Sequence, residues 1–194
     1  MKISACVITK NEEKNIFNCL DRALKVVDEA IVVDTGSTDN TVKLLIDNYG
    51  ENEKVKIIEY EWENDFSKAR NKSLEYATGD WILVLDADER IFCNRKKLEE
   101  FLESREGKAY IIPIYNIMDR HNITISSTMI RLYKNDNPKY TGAIHEQILV
   151  DGKNYLGDVI DGNICKIYHY GYTETVFKEK DKQERNMNII MSQI

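Results

Sequence analysis

An α/β fold follows from three features of the sequence. Strand and helix patterns alternate from Ile3 to Leu85, one uninterrupted apolar run sits where a central strand belongs, and that run ends in two carboxylates. The run, Trp81-Ile82-Leu83-Val84-Leu85, is too short for a helix and follows the turn pair Gly79-Asp80. Such runs are buried on both faces, as in the centre of a parallel sheet. It passes directly into Asp86-Ala87-Asp88-Glu89. Ligands of open α/β sheets bind beyond the carboxyl ends of strands, and two acids there need a cation or hydrogen-bond donors to neutralise them. A hard divalent ion carrying phosphate oxygens would do so, since Mg²⁺ takes one or two carboxylates plus substrate phosphates. The competing reading is an Asp-x-Asp that only caps the next loop.

The elements follow in order. A first strand, Ile3 to Thr9, leads through Lys10-Asn11-Glu12-Glu13 into a helix with Ile16, Phe17, Leu20, Ala23 and Leu24 on its apolar face. Asn11 is the expected N-cap, with acids in the first turn as the helix dipole prefers. A second strand, Glu29 to Val33, ends at Asp34-Thr35-Gly36-Ser37-Thr38-Asp39, and the helix it starts carries Val42, Leu45, Ile46 and Tyr49. A third strand, Val55 to Tyr60, precedes Glu61-Trp62-Glu63-Asn64-Asp65-Phe66, and a helix from Ser67 to Thr78 is closed by Gly79. Right-handed crossovers and a parallel sheet are expected.

Beyond Asp88 the pattern becomes α+β. A charged helix, Arg95 to Ser104, precedes alternating strands at Ala109–Tyr115 and Ile123–Tyr133, which read as antiparallel. Tyr140 to Ile148 is a loop or short edge segment, Asp151-Gly152 signals a hairpin, and a strand from Asn163 ends in His169-Tyr170-Gly171. A polar helix capped by Thr173 follows, with Met187, Ile190, Met191 and Ile194 as its stripe. That stripe either continues into a longer chain or packs back on the domain. The expected organisation is one domain over residues 1–172, with a ligand-binding half (1–90) and a second half (91–172), then a C-terminal helix over 173–194.

Composition narrows the function classes. The 194 residues are 42% hydrophobic, near the globular norm. A net charge of −6, without a basic run with interleaved aromatics, argues against nucleic acid as partner. Cys6, Cys19, Cys93 and Cys165 form no Cys-x-x-Cys pair, which disfavours zinc and redox motifs. Met1-Lys2-Ile3-Ser4 enters a strand without a signal-peptide segment, and no apolar run reaches spanning length. A cytoplasmic setting, free or at the membrane periphery, is expected, with no transmembrane segment.

Four segments in order, Val7-Ile8-Thr9-Lys10-Asn11-Glu12-Glu13, Val32-Val33-Asp34-Thr35-Gly36-Ser37-Thr38-Asp39-Asn40-Thr41, Asp65-Phe66-Ser67-Lys68-Ala69-Arg70-Asn71 and Leu85-Asp86-Ala87-Asp88-Glu89, resemble the nucleotide-binding half of family-2 glycosyltransferases. Gly142-Ala143-Ile144-His145-Glu146 resembles the acceptor-side segment of one bacterial branch of that family. The resemblance implies the GT-A fold, a mixed sheet flanked by helices, and an inverting enzyme that uses nucleotide sugars. It places Thr9, Asn11 and Glu12 against base and ribose, Asp34 on the nucleoside, Asp65 on the uracil edge of a UDP-sugar, and Arg70 near the diphosphate. Asp86 would contact ribose or metal, Asp88 would ligate Mn²⁺ or Mg²⁺, and His169 would complete the cation's shell. A surface helix arginine, an N-terminal helix acid and a structural histidine are the plainer readings of Arg70, Asp65 and His169.

Displacement at an anomeric carbon needs a cation for the leaving diphosphate and a general base for the acceptor hydroxyl or thiol. Glu146 is the first candidate base and His145 the second, either being otherwise a polar rim contact. The acceptor is open between a glycan, a lipid-linked saccharide and a peptide. The chain departs from the family at Asp34-Thr35-Gly36-Ser37, where Asp-Asp-Gly-Ser is usual, and at His145-Glu146, where an acidic pair is usual. His121, in a turn after Asp119-Arg120, has no comparable case. A strand ending Asp-x-Asp also describes a haloacid-dehalogenase-type phosphatase, but Arg90 stands where that loop expects Thr or Val. A catalytically silent sugar-nucleotide-binding or scaffold module is the alternative from another class. Nucleotidyl transfer is weaker still, because a Gly- and Arg-rich phosphate loop after the first strand is missing.

Overall fold

The computed structural model describes residues 1–117, 123–126 and 129–171, together with Met187, Ile189 and Met191. The chain runs β1 (Ile3–Thr9), α1 (Ile16–Ala23), β2 (Glu29–Asp34), α2 (Thr41–Tyr49), β3 (Val55–Glu59), α3 (Phe66–Leu74), β4 (Trp81–Asp86) and β5 (Glu89–Cys93). It continues with α4 (Arg95–Glu103), β6 (Ala109–Ile111), β7 (Ile114–Ile117), β8 (Ile123–Ser126), β9 (Ile130–Lys134), β10 (Lys139–Thr141), β11 (Gln147–Val150), β12 (Lys153–Asn154), β13 (Asp158–Val159) and β14 (Cys165–His169).

The central sheet has the order β13-β6-β9-β4-β1-β2-β3, with β1 to β4 mutually parallel and β9 antiparallel to both β4 and β6. The fold class is therefore the mixed α/β class expected. The chain leaves β1 toward β2 and β3 and returns on the other side of β1 to form β4. The loops after β1 and β4 thus diverge, which opens a crevice at their carboxyl ends. Register puts Thr9 opposite Asp34 and Ile8 opposite Asp86, so three motif ends lie along one edge.

Burial on both faces of β4 explains its unbroken apolar run. Leu83 and Leu85 pack with Ala5, Val7, Ile16 and Leu20 on one side, while Ile82 and Val84 pack with Cys6, Tyr133, Tyr140 and Ile148 on the other. A second sheet, β5-β14-β7-β8, and a third, β10-β11-β12, hold the remaining strands of the described residues. The expected hairpin at Asp151-Gly152 joins β11 to β12, both residues having positive φ as a type I′ turn requires.

Several elements differ from the sequence reading. Ile123–Tyr133 is divided between β8 and β9, which belong to different sheets. Helix α1 starts at Ile16, and Asn11 is not its cap: Asn11 takes φ +55° and ties the first loop to the second. Ile189 is buried, whereas Met187 and Met191 are exposed. One helical turn separates those two methionines, so the described part of the stripe faces away from the packed side. Thr173, His121, Ile190 and Ile194 lie outside the described residues. Among the described residues no helix is long and apolar enough to cross a membrane.

Candidate active site

The first two loops brace one another. Asn11 Oδ1 accepts from the backbone N–H of Thr38 (2.7 Å), the Asn11 N–H donates to Ser37 Oγ (2.9 Å), and the Glu12 N–H donates to Thr41 Oγ1 (2.8 Å). Asp34 is buried, and its carboxylate accepts from the Gly36 and Ser37 N–H groups (3.0 and 2.8 Å) and from Ser37 Oγ. It organises the turn in which Gly36 takes φ +93°. Thr9 ends β1 with a buried hydroxyl that has no hydrogen-bond partner among the described residues. Asp65 is the N-cap of α3, accepting from the Lys68 N–H (3.2 Å) and from Ser67 Oγ (2.6 Å).

Arg70 is not a surface arginine. Its side chain is 8% exposed, Nε donates to Glu146 Oε1 (2.6 Å) and Nη2 donates to Asp86 Oδ1 (2.8 Å). Arg131, from β9, reaches the same acid from the sheet side, with Nη2 3.0 Å from Asp86 Oδ2 and 2.6 Å from Glu89 Oε1. Glu89 Oε2 in turn accepts from the Asp86 N–H (2.8 Å). Glu146, Arg70, Asp86, Arg131 and Glu89 therefore form one chain of alternating charge.

This alternation fixes the ionisation. Burial would raise Asp86, but Arg131 and Arg70 outweigh it and hold the acid far below the usual carboxylate range. Burial dominates at Glu89 and, with the Asp86 charge, raises it despite Arg131. Burial alone would lower Arg70, yet Asp86, Tyr140 and Glu146 keep it charged. Arg70 Nη1 and Arg131 Nε, both buried, lack a hydrogen-bond partner among the described residues.

The second motif acid points elsewhere. Asp88 Oδ2 lies 3.2 Å from His169 Nε2, and the opposite ring nitrogen lies 3.0 Å from Asn116 Oδ1. Burial would lower His169, but Asp88, followed by Glu89 and Asp86, raises it above its ordinary value. Among the described residues no lysine or arginine pairs with Asp88. A Cβ on Gly171 would collide with Asp88 Oδ2 and come within 2.6 Å of His169 Nε2, so glycine lets the chain pass close to both groups.

A cation fits this corner in a limited way. Asp88 and His169 are adjacent oxygen and nitrogen donors, whereas Asp86 is turned to the arginines. No three His, Cys, Asp or Glu groups among the described residues converge on one point. Two protein donors plus substrate phosphates and water are the arrangement Mg²⁺ commonly takes.

The acceptor-side segment docks against α3. The Phe66 N–H donates to Ala143 O (3.0 Å), and the Asn71 amide closes two hydrogen bonds with the Tyr140 backbone (2.8 and 3.0 Å). These contacts and the Arg70 bridge place Glu146 beside Asp86, while His145 is exposed with φ +54°. Sequence reading missed Arg131, Glu89 and Asn116. Arg131 could have been found, because a lone arginine inside Ile130-Arg131-Leu132-Tyr133 is a buried charge that demands acid partners.

A family model described as glycosyl transferase family 2 matches residues 4–148. The SPbeta prophage-derived glycosyltransferase SunS of Bacillus subtilis (strain 168) is 34% identical over 194 residues, covering 96% of this chain and 44% of that protein. The chain thus spans less than half the length of that relative. Among solved structures, S. aureus TarS 1–349 in complex with UDP superposes with a TM-score of 0.53 at 27% identity, over 63% of this chain and 38% of that one. The same TarS fragment in complex with UDP-GlcNAc gives 0.52 at 28% identity, over 63% and 37%.

Proposed function

From the premise that this chain belongs to glycosyl transferase family 2, we propose that it moves a sugar from a nucleoside diphosphate donor, a UDP-sugar, to an acceptor nucleophile with inversion at the anomeric carbon. The observation that carries this reading is the division of labour in Asp86-Ala87-Asp88: one acid is held by two buried arginines, the other faces His169. Relatives of this fold bound to UDP and UDP-GlcNAc support the uridine donor.

Each residue then has a task. Thr9 offers its unpartnered hydroxyl at the mouth of β1, and the braced loops carrying Asn11, Glu12 and Asp34 form the wall for base and ribose. Asp65 caps α3 close to that wall and faces the uracil edge. Arg70 sits between donor and acceptor sides, where Nη1 can meet a diphosphate oxygen. Asp88 and His169 would hold Mn²⁺ or Mg²⁺, which supplies charge neutralisation for the departing diphosphate when bound. Glu146 receives the acceptor proton as the nucleophile attacks from the opposite face. Its contact with Arg70 holds it in place, and His145, exposed beside it, is the second candidate.

Calorimetric titration of UDP, GDP, CDP and dTDP, with Mn²⁺ and with chelator, into wild type and Asp88→Ala tests this. The expected result is metal-dependent binding of UDP alone that Asp88→Ala abolishes. Absence of binding by any nucleotide would overturn the donor assignment. UDP binding without sugar transfer or donor hydrolysis would favour a silent binding module.

A further inference from the structure

We propose that Asn116 is a positioning residue for the cation site: its side-chain oxygen holds the proton on His169 Nδ1 and so reserves Nε2 for a divalent metal shared with Asp88. This rests on the metal-dependent reading above. Nothing in the sequence motifs involves Asn116; the assignment comes from strand register. His169 lies on β14 between two partners, opposite Glu89 on antiparallel β5 and opposite Asn116 on parallel β7. Residues paired across adjacent strands present their side chains to the same face. The imidazole therefore has Asn116 on one flank, while Asp88, one residue before Glu89, meets its other end.

An imidazole that gives a lone pair to a metal through Nε2 must carry its proton on Nδ1, and that N–H needs an acceptor to fix tautomer and ring angle. Asn116 Oδ1 lies 3.0 Å away, inside the normal hydrogen-bond range. Asparagine suits the place for a second reason. It accepts without adding charge to a corner that already holds Asp86, Asp88 and Glu89. With the amide reversed, its NH₂ would donate to Nδ1, the proton would move to Nε2, and His169 would close onto Asp88 instead of facing a cation. The amide orientation thus selects between an open and a closed metal corner. A Cβ on Gly171 would press on both Asp88 Oδ2 and His169 Nε2 and displace them from this arrangement.

Two measurements test this on the whole chain, with Asn116→Leu (similar size, no acceptor) and Asn116→Asp (acceptor only). Mn²⁺ affinity in the presence of UDP is read by electron paramagnetic resonance and calorimetry. Asn116→Leu should weaken Mn²⁺ by about 10- to 100-fold, while its urea unfolding midpoint stays near that of wild type. Asn116→Asp should match or exceed wild type, which a general loss of structure would not allow. Long-range ¹H–¹⁵N NMR of the His169 ring with UDP and diamagnetic Mg²⁺ present, at alkaline pH, should show the proton on Nδ1 in wild type and its partial redistribution to Nε2 in Asn116→Leu. Wild-type His169 protonated on Nε2, or Mn²⁺ affinity unchanged in Asn116→Leu, would overturn the role of Asn116 alone. Wild type that binds UDP without regard to Mn²⁺ would overturn the metal reading and this proposal with it.

Discussion

Arg70 shows how a single side chain can mean something other than its sequence neighbourhood suggests. It lies in a helix of mostly polar residues, Phe66–Leu74, yet it is buried and joins Asp86 to Glu146. Its charge is kept because two acids offset the desolvation. Glu146 is held by this bridge, its Oε1 accepting from Arg70 Nε at 2.6 Å, and its proposed role as base can be tested directly. Replacing it with glutamine keeps the shape and a hydrogen bond to Arg70 but removes the proton acceptor. Glu146→Gln should lower kcat by about 10²- to 10⁴-fold and leave the UDP dissociation constant nearly unchanged, as steady-state kinetics and calorimetry would read. Equal losses in both quantities would assign Glu146 to donor binding instead.

Among the elements, β9 does more for the site than its sequence announced. It pairs with β4 and β6 inside the central sheet and delivers Arg131 to Asp86 and Glu89. Arg131→Met would leave Glu89 without its buried cation and Asp86 with Arg70 alone. A loss of about 3–5 kcal/mol in unfolding free energy is expected, visible as a lowered urea midpoint, and Glu89→Gln on top should restore part of it because the pair is coupled. Strand and helix periodicity made β1 to β4, α1 to α4 and the β11–β12 hairpin legible, since each obeys its own local pattern. The split between β8 and β9 was not legible: the alternation Ile123, Ile125, Met129, Arg131, Tyr133 keeps its phase, and Ser126-Ser127-Thr128 contains neither glycine nor proline. Asp86, Asp88 and Arg70 stood out in the motifs. Asn116 did not, because its meaning comes from a cross-strand neighbour far away in sequence.

Taken as a whole, the molecule is tied at the end of the sheet opposite the site by one buried acid. Glu29 accepts from Ser4 Oγ (2.6 Å), the Thr78 N–H (2.6 Å) and Lys2 Nζ (3.1 Å), linking β1, β2 and the turn before β4. Burial raises its pKa, but the hydrogen bonds from Ser4, Thr78 and Lys2 outweigh this and bring it down to about 2 from 4.5. A carboxylate with a depressed folded pKa stabilises the protein fully above its unfolded value, and that contribution is lost as pH falls through the folded one. The contribution of Glu29 is therefore present above about pH 4.5 and disappears toward about pH 2. Urea unfolding across that window should show wild type losing stability more steeply than Glu29→Gln. Parallel slopes would mean that other groups set the acid limit.

The pairing of β14 with both β5 and β7 also has a kinetic consequence. Asp88 and His169 meet across 81 residues of chain, and they meet only after β14 has docked between strands contributed by two separate stretches. Contacts of such long sequence separation form late, because loop-closure entropy is lost before they can reward it. During synthesis the motif loops of β1, β2 and β4 can assemble while Asp88 still lacks its imidazole partner. A nascent chain that has reached only Glu89 therefore has the Asp-x-Asp motif but not the proposed site, and a cation bound there would stabilise the finished fold without guiding its beginning.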